Sequence, residues 1–239
     1  MQASSAKILR EPENVTFRKE YKHEINRGDY QVIRSRMSRL TGKDRHAGPE
    51  GRYRIRSLYF DNLYDKALLE KVNGLRNKEK FRIRLYDNDR SFIRLEKKTK
   101  IGGAGYKVSA RLTEEQCRSL LAGDLSWMPY TGDPLIMELY AKMRYQLLKP
   151  KTVVDYDREP FVYGPGNVRV TLDSDIRTGI RAVDFLNPGL PMMATHIHPK
   201  IILEVKFDEY LPSVIKNAVR VPGRRTSSFS KYAVCRQFD

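Results

Sequence analysis

Cysteine is nearly absent from this chain, with Cys117 and Cys235 the only two in 239 residues. Two cysteines cannot build a disulfide framework, so a reducing, cytoplasmic setting is the default expectation. Histidine is scarce as well, with four residues. His196 and His198 stand two apart, a spacing open to zinc, but no cysteine or further histidine lies near them in sequence. They are read as loop or surface residues. No apolar run approaches the ~18 residues a membrane span needs. The N-terminal MQASSAKILREPENVTF lacks the apolar centre of a signal peptide. Acids are also in short supply, 29 against 45 lysines and arginines, giving a formal net charge of +16. An excess of that size calls for a polyanionic partner: nucleic acid, an anionic membrane, or a phosphate-rich small molecule.

Apolar residues at 40% and charged residues at 31% describe a folded, globular chain. Residues 1–14 are polar and read as a flexible N-terminus. Residues 15–239 show no repeat, low-complexity stretch or clean linker, and read as a single domain. Strand-like alternation marks 15–25, 51–61, 79–100, 103–113, 151–163, 167–179 and 200–210. Helical spacing marks 28–40, 62–74, 113–123, 133–148, 211–219 and 227–238. Thr113 suits an N-cap, Pro134 a first turn, and Gly74 and Gly123 suit helix stops.

The strands share a pattern. In EKFRIRLYDNDRSFIRLEKKTK, Phe81, Ile83, Leu85, Ile93 and Leu95 alternate with Lys80, Arg82, Arg84, Arg94, Glu96 and Lys98. Residues of one parity share a face. Charged parities recur at Arg18, Glu20 and Lys22, at Arg52, Arg54 and Arg56, at Arg169, Thr171 and Asp173, and at Glu204 and Lys206. Two geometries account for this. A half-buried antiparallel sheet turns its charged face to water. Alternatively, the sheet closes into a barrel with the charges inside and helices packed on the apolar exterior. The second takes support from the large apolar residues on the other parity, and from the acid that recurs beside a cation. Cations in surplus inside a barrel require an external polyanion to neutralise them. Arginine forks and lysine point charges suit a chain of phosphates, and the acids suit a divalent ion.

The segments RKEYKHEI, SLYFDN, FRIRLY, RLEKKT, VDYDREPFVY, VRVTLDSDI, IILEVKF and SFSKY occur in that order. Together they resemble the VTC domain, the polyphosphate polymerase family of the triphosphate tunnel metalloenzyme (CYTH-like) superfamily. The resemblance runs from about Phe17 to Tyr232. It implies an α+β fold, an eight-stranded antiparallel β-barrel tunnel with a charged interior and helices outside. It also implies transfer of the ATP γ-phosphate to a growing polyphosphate chain with a divalent metal, Mn²⁺ or Mg²⁺. The catalytic cations it implies are Lys22 of the opening strand, Arg82 and Arg84 of the RxR strand, Lys98 of ExKT, Arg158 of YxR, Arg169 of VRxTLD, Lys206 of LEVK and Lys231 of SKY. Lys107, Arg56, Arg94, Glu20, Ser230 and Tyr232 are expected to bind substrate, and Glu204 and Glu96 to hold metal. Arg18 stands where the wider superfamily opens with Glu, which suits the polymerase branch and leaves fewer metal ligands. Ser228 stands where some relatives carry a basic residue.

Three functional classes stay open on the residues: an ATP-dependent polymerase, a triphosphate or polyphosphate hydrolase in the same tunnel, and a non-catalytic module binding polyphosphate, inositol phosphates or RNA. Acids at matching strand positions would repel a nucleic-acid backbone, and most aromatics fall on the apolar parity, so no specific nucleic-acid partner is expected. The expected partners are ATP and inorganic polyphosphate or triphosphate. Coupling to export would need a membrane-protein partner, which would hold the chain at the membrane periphery. Gly102, Gly103 and Gly105 lack a following GK[ST] and read as a turn. Asp173 and Asp175 are open between capping a turn and binding metal.

Overall fold

A computed structural model describes residues 18–44, 47–102, 104–196, 200–224 and 226–238. The N-terminal segment expected to be flexible lies outside these residues, as do His46, Gly103, His198 and Arg225.

The alternating segments become strands β1 (Lys19–Ile25), β2 (Gly42–Lys43), β3 (Tyr53–Asp61), β4 (Lys78–Tyr86), β5 (Asp89–Ile101), β6 (Ala104–Leu112), β7 (Lys149–Tyr163), β8 (Val168–Thr178), β9 (Met193–Ala194) and β10 (Ile201–Phe207). The helices are α1 (Arg27–Leu40), α2 (Lys66–Val72), α3 (Glu114–Leu121), α4 (Pro134–Tyr145), α5 (Ser213–Ala218) and α6 (Lys231–Cys235). Local chemistry sets their ends. Asn26 and Asp29 form a capping box on α1, and Thr113 and Gln116 form one on α3. The Asp133 carboxylate caps α4 ahead of Pro134. Gly74 and Gly123 follow α2 and α3 with φ of 67° and 85°, a left-handed turn that a Cβ would oppose.

Eight strands form one antiparallel path, β1-β10-β8-β7-β3-β4-β5-β6, with β2 added to β7 and β9 to β8. β1 opens the path and β5 lies next to its far end, yet Lys98 of β5 reaches Glu20 of β1 with Nζ 3.1 Å from the carboxylate. The sheet therefore curls into a half-barrel with its charged interior bridged by side chains. Among the described residues no ladder joins β1 to β6.

Two apolar clusters cover the convex side. Phe81, Ile83, Leu85, Ile93 and Leu95 pack under α3 and α4 through Leu120, Leu135 and Leu139. Val170, Leu172, Leu203 and Val205 pack under α1 and α5 through Ile33, Met37 and Ile215. Leu139 is fully buried, and truncating such a residue to alanine costs about 2–5 kcal/mol. A third cluster lies on the concave side, where Tyr59, Val154, Tyr156 and Ile202 meet Tyr232 and Cys235. So α6 packs inside the curl, unlike α1, α3, α4 and α5.

Strand β3 departs from the expected pattern. Its register sets Tyr59 opposite Arg82 and Ser57 opposite Arg84. Paired residues share a face, so Tyr53, Ile55, Ser57 and Tyr59 point inward. Arg54 and Arg56 point outward, where β7 offers Asp157 and Asp155 as partners. The charged parity of this strand is thus the outer one, and Arg56 is not in the interior.

Candidate functional site

The interior charges fall into two linked groups. In the first, on β1, β10, β8, β7 and α6, the Lys22 ammonium lies 2.5 Å from Glu20 and 3.3 Å from Glu204. Lys206 pairs with the other Glu204 oxygen. Arg158 grips Asp173 with both arms of its fork, at 2.6 and 2.7 Å. Lys231 reaches the same carboxylate at 2.6 Å and lies over the Tyr156 ring at 4.4 Å. In the second group, on β4, β5 and β6, Glu96 takes Arg82 at 2.6 Å, Lys107 at 2.8 Å and Arg84 at 3.7 Å. Arg82 also donates to the Tyr59 hydroxyl, and Arg84 to the Tyr156 hydroxyl, each at 3.1 Å. The Lys98–Glu20 pair joins the two groups.

Protonation follows from these neighbours. Burial alone would raise the Glu20 carboxyl, but Lys22, Lys98 and Lys206 bring it down to about 2. Burial opposes Asp173 in the same way, and Arg158 and Lys231 bring it to about 2. Glu204 is held well below the carboxylate range by Lys206, Lys22, Arg158 and Lys231, and Glu96 by Arg82, Arg84 and Lys107, each against the effect of burial. All four are therefore anionic at neutral pH, and none can act as a general acid there. The lysines divide. Burial lowers Lys22, but Glu204 and Glu20 more than restore it and hold it above the usual range. Lys98 and Lys206 are lowered by burial. Lys80 is driven furthest down, by burial and then by Lys98, Arg82, Lys22 and Lys231. Among the described residues it has no carboxylate partner.

Lys80 also lines a chamber of about 270 Å³ at one end of the half-barrel. Lys22, Lys71, Lys78, Lys98 and Lys100 share the lining, facing the segment Thr226–Ser230. Sequence pattern brings most of the expected residues here: Lys22, Glu20, Arg82, Arg84, Glu96, Lys98, Lys107, Arg158, Glu204, Lys206 and Lys231 belong to the linked groups. Ser230 lines the chamber and caps α6. Others lie apart. Arg94 faces Arg84 and Arg111 across the ladders, towards the other end. Arg169 is held by Asp44 and the Tyr53 hydroxyl, each at 3.0 Å. Arg56 is outside. Tyr232 is buried, donating to Asp61 at 2.6 Å and accepting from Arg236 at 2.7 Å, so it fastens α6 in place.

Sequence reading assigned no role to Lys80, although it shares the parity of Arg82 and Arg84. It left Asp173 open between two roles, and the structure shows a buried counter-ion for Arg158 and Lys231. Tyr59 and Tyr156 sit in apolar-looking strands, and only the pairing register reveals that they face the charges. Gly102 lies in the β5–β6 turn as expected, with Ile101 paired to Ala104.

The sequence pattern of one protein family, described as the VTC domain, matches residues 17–238. The chain belongs to that family. The resemblance carried by the ordered motifs therefore stands, and the curled antiparallel sheet with a charged concave face is the fold it implied. No curated protein matches the chain. Among solved structures it is similar to a candidate adenylate cyclase from Bacillus halodurans, at 12% identity over 80% of each chain and a TM-score of 0.48. It is similar also to two proteins of Pyrococcus horikoshii. PH1819 is 15% identical, covering 85% of this chain and 84% of its own, with a TM-score of 0.42. PH1012 is 14% identical, covering 84% and 85%, with a TM-score of 0.43. No helix among the described residues is long and apolar enough to cross a membrane.

Proposed function

We propose that this VTC-domain protein transfers the γ-phosphate of ATP to the end of an inorganic polyphosphate chain lying along the concave face, and releases ADP. The observation that carries the reading is the charge imbalance inside the half-barrel. Lys80 is half-buried among cations with no carboxylate of its own, its ammonium 5.7 Å from the centre of the Tyr59 ring, and Arg84 shares Glu96 with Arg82 and Lys107. Buried cations in excess are unfavourable until an anion joins them. A phosphate chain supplies that anion in repeated, evenly spaced units, and favours the charged form of Lys80.

Phosphoryl transfer asks for position and neutralisation rather than covalent help. An oxygen of the acceptor's terminal phosphate forms the new bond to the γ-phosphorus. The bond from that phosphorus to the β–γ bridging oxygen breaks, and its electron pair leaves with ADP. The acceptor oxygen is ionised at neutral pH, so the step needs no base. The fully ionised acids of the site fit that requirement. Arg82, Arg84 and Arg158 would offer the equatorial phosphate oxygens the guanidinium N–H groups that Glu96, Tyr59, Tyr156 and Asp173 leave free, with Lys22, Lys98 and Lys206 as point charges.

The donor set also fits a divalent metal. Glu20 and Glu204 direct oxygens at a single ammonium, that of Lys22, so two carboxylates converge on one cation-sized position. Mn²⁺ or Mg²⁺ takes one or two carboxylates and completes its shell with water and phosphate oxygens. Glu204 and Glu20 would hold such an ion, and bound there it would offset charge developing towards the leaving ADP. Glu96, also expected to hold metal, lies in the second group, where Arg82 and Lys107 each take one of its oxygens and it orients Arg82. Among the described residues no group of three or more acids, histidines or cysteines gathers as a ready-made metal cage.

Incubation of the full chain with ATP and Mn²⁺, followed by gel electrophoresis and phosphorus NMR, tests the reading. It expects long-chain polyphosphate with ADP in step. Free phosphate released from triphosphate without chain growth would make the protein a hydrolase, and binding without turnover would make it a binding module.

A further inference from the structure

The two ends of the concave face differ in chemistry, and the ladder shows the change step by step. Inward residues along β4 run Lys78, Lys80, Arg82, Arg84, Tyr86. Opposite them on β5 run Lys100, Lys98, Glu96 and Arg94; the register then shifts so that Tyr86 pairs with Asp89, and Phe92, two residues before Arg94, lies beside the Tyr86 ring. Both strands thus pass from lysine through arginine to an aromatic ring. The lysine end opens into the chamber lined by six lysines, by Glu20 and Glu79 and by Thr226–Ser230, with a single aromatic, Phe229, among its lining residues. At the other end the Tyr86 ring lies 5.6 Å from Tyr53 and 6.2 Å from Phe92. The Arg84 guanidinium stands 5.9 Å from the centre of Tyr86, and that of Arg94 stands 5.0 Å from Phe92. Phe92 is 39% exposed.

We propose that Tyr86 and Phe92 form a stacking subsite for the nucleobase of a bound nucleoside triphosphate, which places the nucleoside at the arginine end and the inorganic chain at the lysine end. The inference rests on the polymerase reading and adds a direction to it. An exposed aromatic on the charged parity contributes nothing to the outer apolar clusters, so packing does not account for Phe92. Aromatic faces stack with any base, and arginine planes extend the same surface. Arginine forks fix a phosphate in one orientation, whereas lysine ammonium groups act as point charges without a preferred geometry, as a moving chain requires. Length agrees too. From Lys80 to Tyr86 the strand spans roughly 20 Å, room for a nucleoside, its phosphates and the first units of an acceptor.

Calorimetric titration of the full chain with ATP and with inorganic triphosphate separates the parts. Phe92→Ala should weaken ATP about tenfold and leave triphosphate within about twofold of wild type. Phe92→Trp should hold ATP at least as tightly as wild type. Equal loss of both ligands in Phe92→Ala, or no loss of ATP, overturns the subsite. If the wild-type chain binds no triphosphate at all, the tunnel reading fails first and the subsite falls with it. If triphosphate binds and only the ATP difference is missing, the tunnel stands and the subsite alone is wrong.

Discussion

Arg56 and Arg82 sit on neighbouring strands, and each holds a buried carboxylate with its fork. Arg56 meets Asp155 at 2.8 and 2.9 Å and also donates to the Asn187 carbonyl. Arg82 meets Glu96 at 2.6 and 2.8 Å and also donates to the Tyr59 hydroxyl. Arg56 spans both oxygens of its carboxylate, whereas Arg82 places both bonds on one oxygen and leaves the other to Lys107. Their neighbourhoods differ too. Arg56 and Asp155 balance each other on the outer face, both almost fully buried. Arg82 stands beside Arg84 and Lys80, and Glu96 must serve Arg84 and Lys107 as well. A balanced pair is complete as it stands, whereas a cluster with surplus cations is complete only with an anion bound.

The largest effect expected from this contrast is on turnover. Arg84→Ala or Glu204→Gln should lower polymerase activity by about 10²–10³-fold, the scale seen when a donor to developing charge is removed. Thermal unfolding should stay close to wild type in Arg84→Ala, which removes a cation from a cluster with cations in surplus, and fall in Glu204→Gln, which takes a counter-ion from Lys22 and Lys206. Retained activity in both variants would sink the site assignment. The outer pair should answer in the opposite way. Arg56→Leu strands a buried Asp155 carboxylate and should cost about 3–5 kcal/mol of stability. Arg56→Leu with Asp155→Leu should recover most of it, since the uncompensated charge is then gone. Triphosphate affinity of the folded fraction should not change in either.

A smaller effect is expected at Lys80. Lys80→Met should raise the unfolding midpoint, because it removes a half-buried cation that no carboxylate balances, and weaken triphosphate about tenfold through one lost charge-assisted hydrogen bond. A fall in both, or no change in binding, would place Lys80 among structural residues. The mildest test is pH. Glu20 and Asp173 titrate at about 2 in the folded chain against ordinary values of 4.5 and 3.8. A depressed carboxyl stabilises the fold fully above its ordinary value, and this stabilisation is lost as pH falls through about 2. Unfolding midpoints should therefore fall progressively from near pH 4.5 downward. Glu20→Gln should flatten that dependence, and an unchanged slope would show that the interior pairs are not its source.

Much of this was legible before any coordinates. Alternation on β4, β5 and β10 separated core from charge correctly, and caps and glycines marked the helices, because these signals are local. The reading of β3 failed for a reason of the same kind. RYRIRS alternates equally well in either sense, and its inward face is chosen by β4 and β7 as they pair with it. No residue within β3 records that Asp155 and Asp157 wait on the outer side. The place of α6 inside the curl was hidden likewise, since Tyr232 looks like any amphipathic position until Asp61 and Arg236 meet its hydroxyl. Lys80 was visible and went unassigned, because only three-dimensional bookkeeping of charge shows that no carboxylate among the described residues balances it.

The central claim is that the unbalanced inner face binds a phosphate chain. Calorimetric titration of wild type and of Arg82→Ala/Arg84→Ala with inorganic triphosphate tests it most directly. The account predicts saturable binding in wild type and a loss of at least about 100-fold in the double variant, equivalent to the removal of two charge-assisted contacts. Equal binding by the two proteins would mean that the phosphate sits elsewhere, and that the concave charges merely neutralise one another.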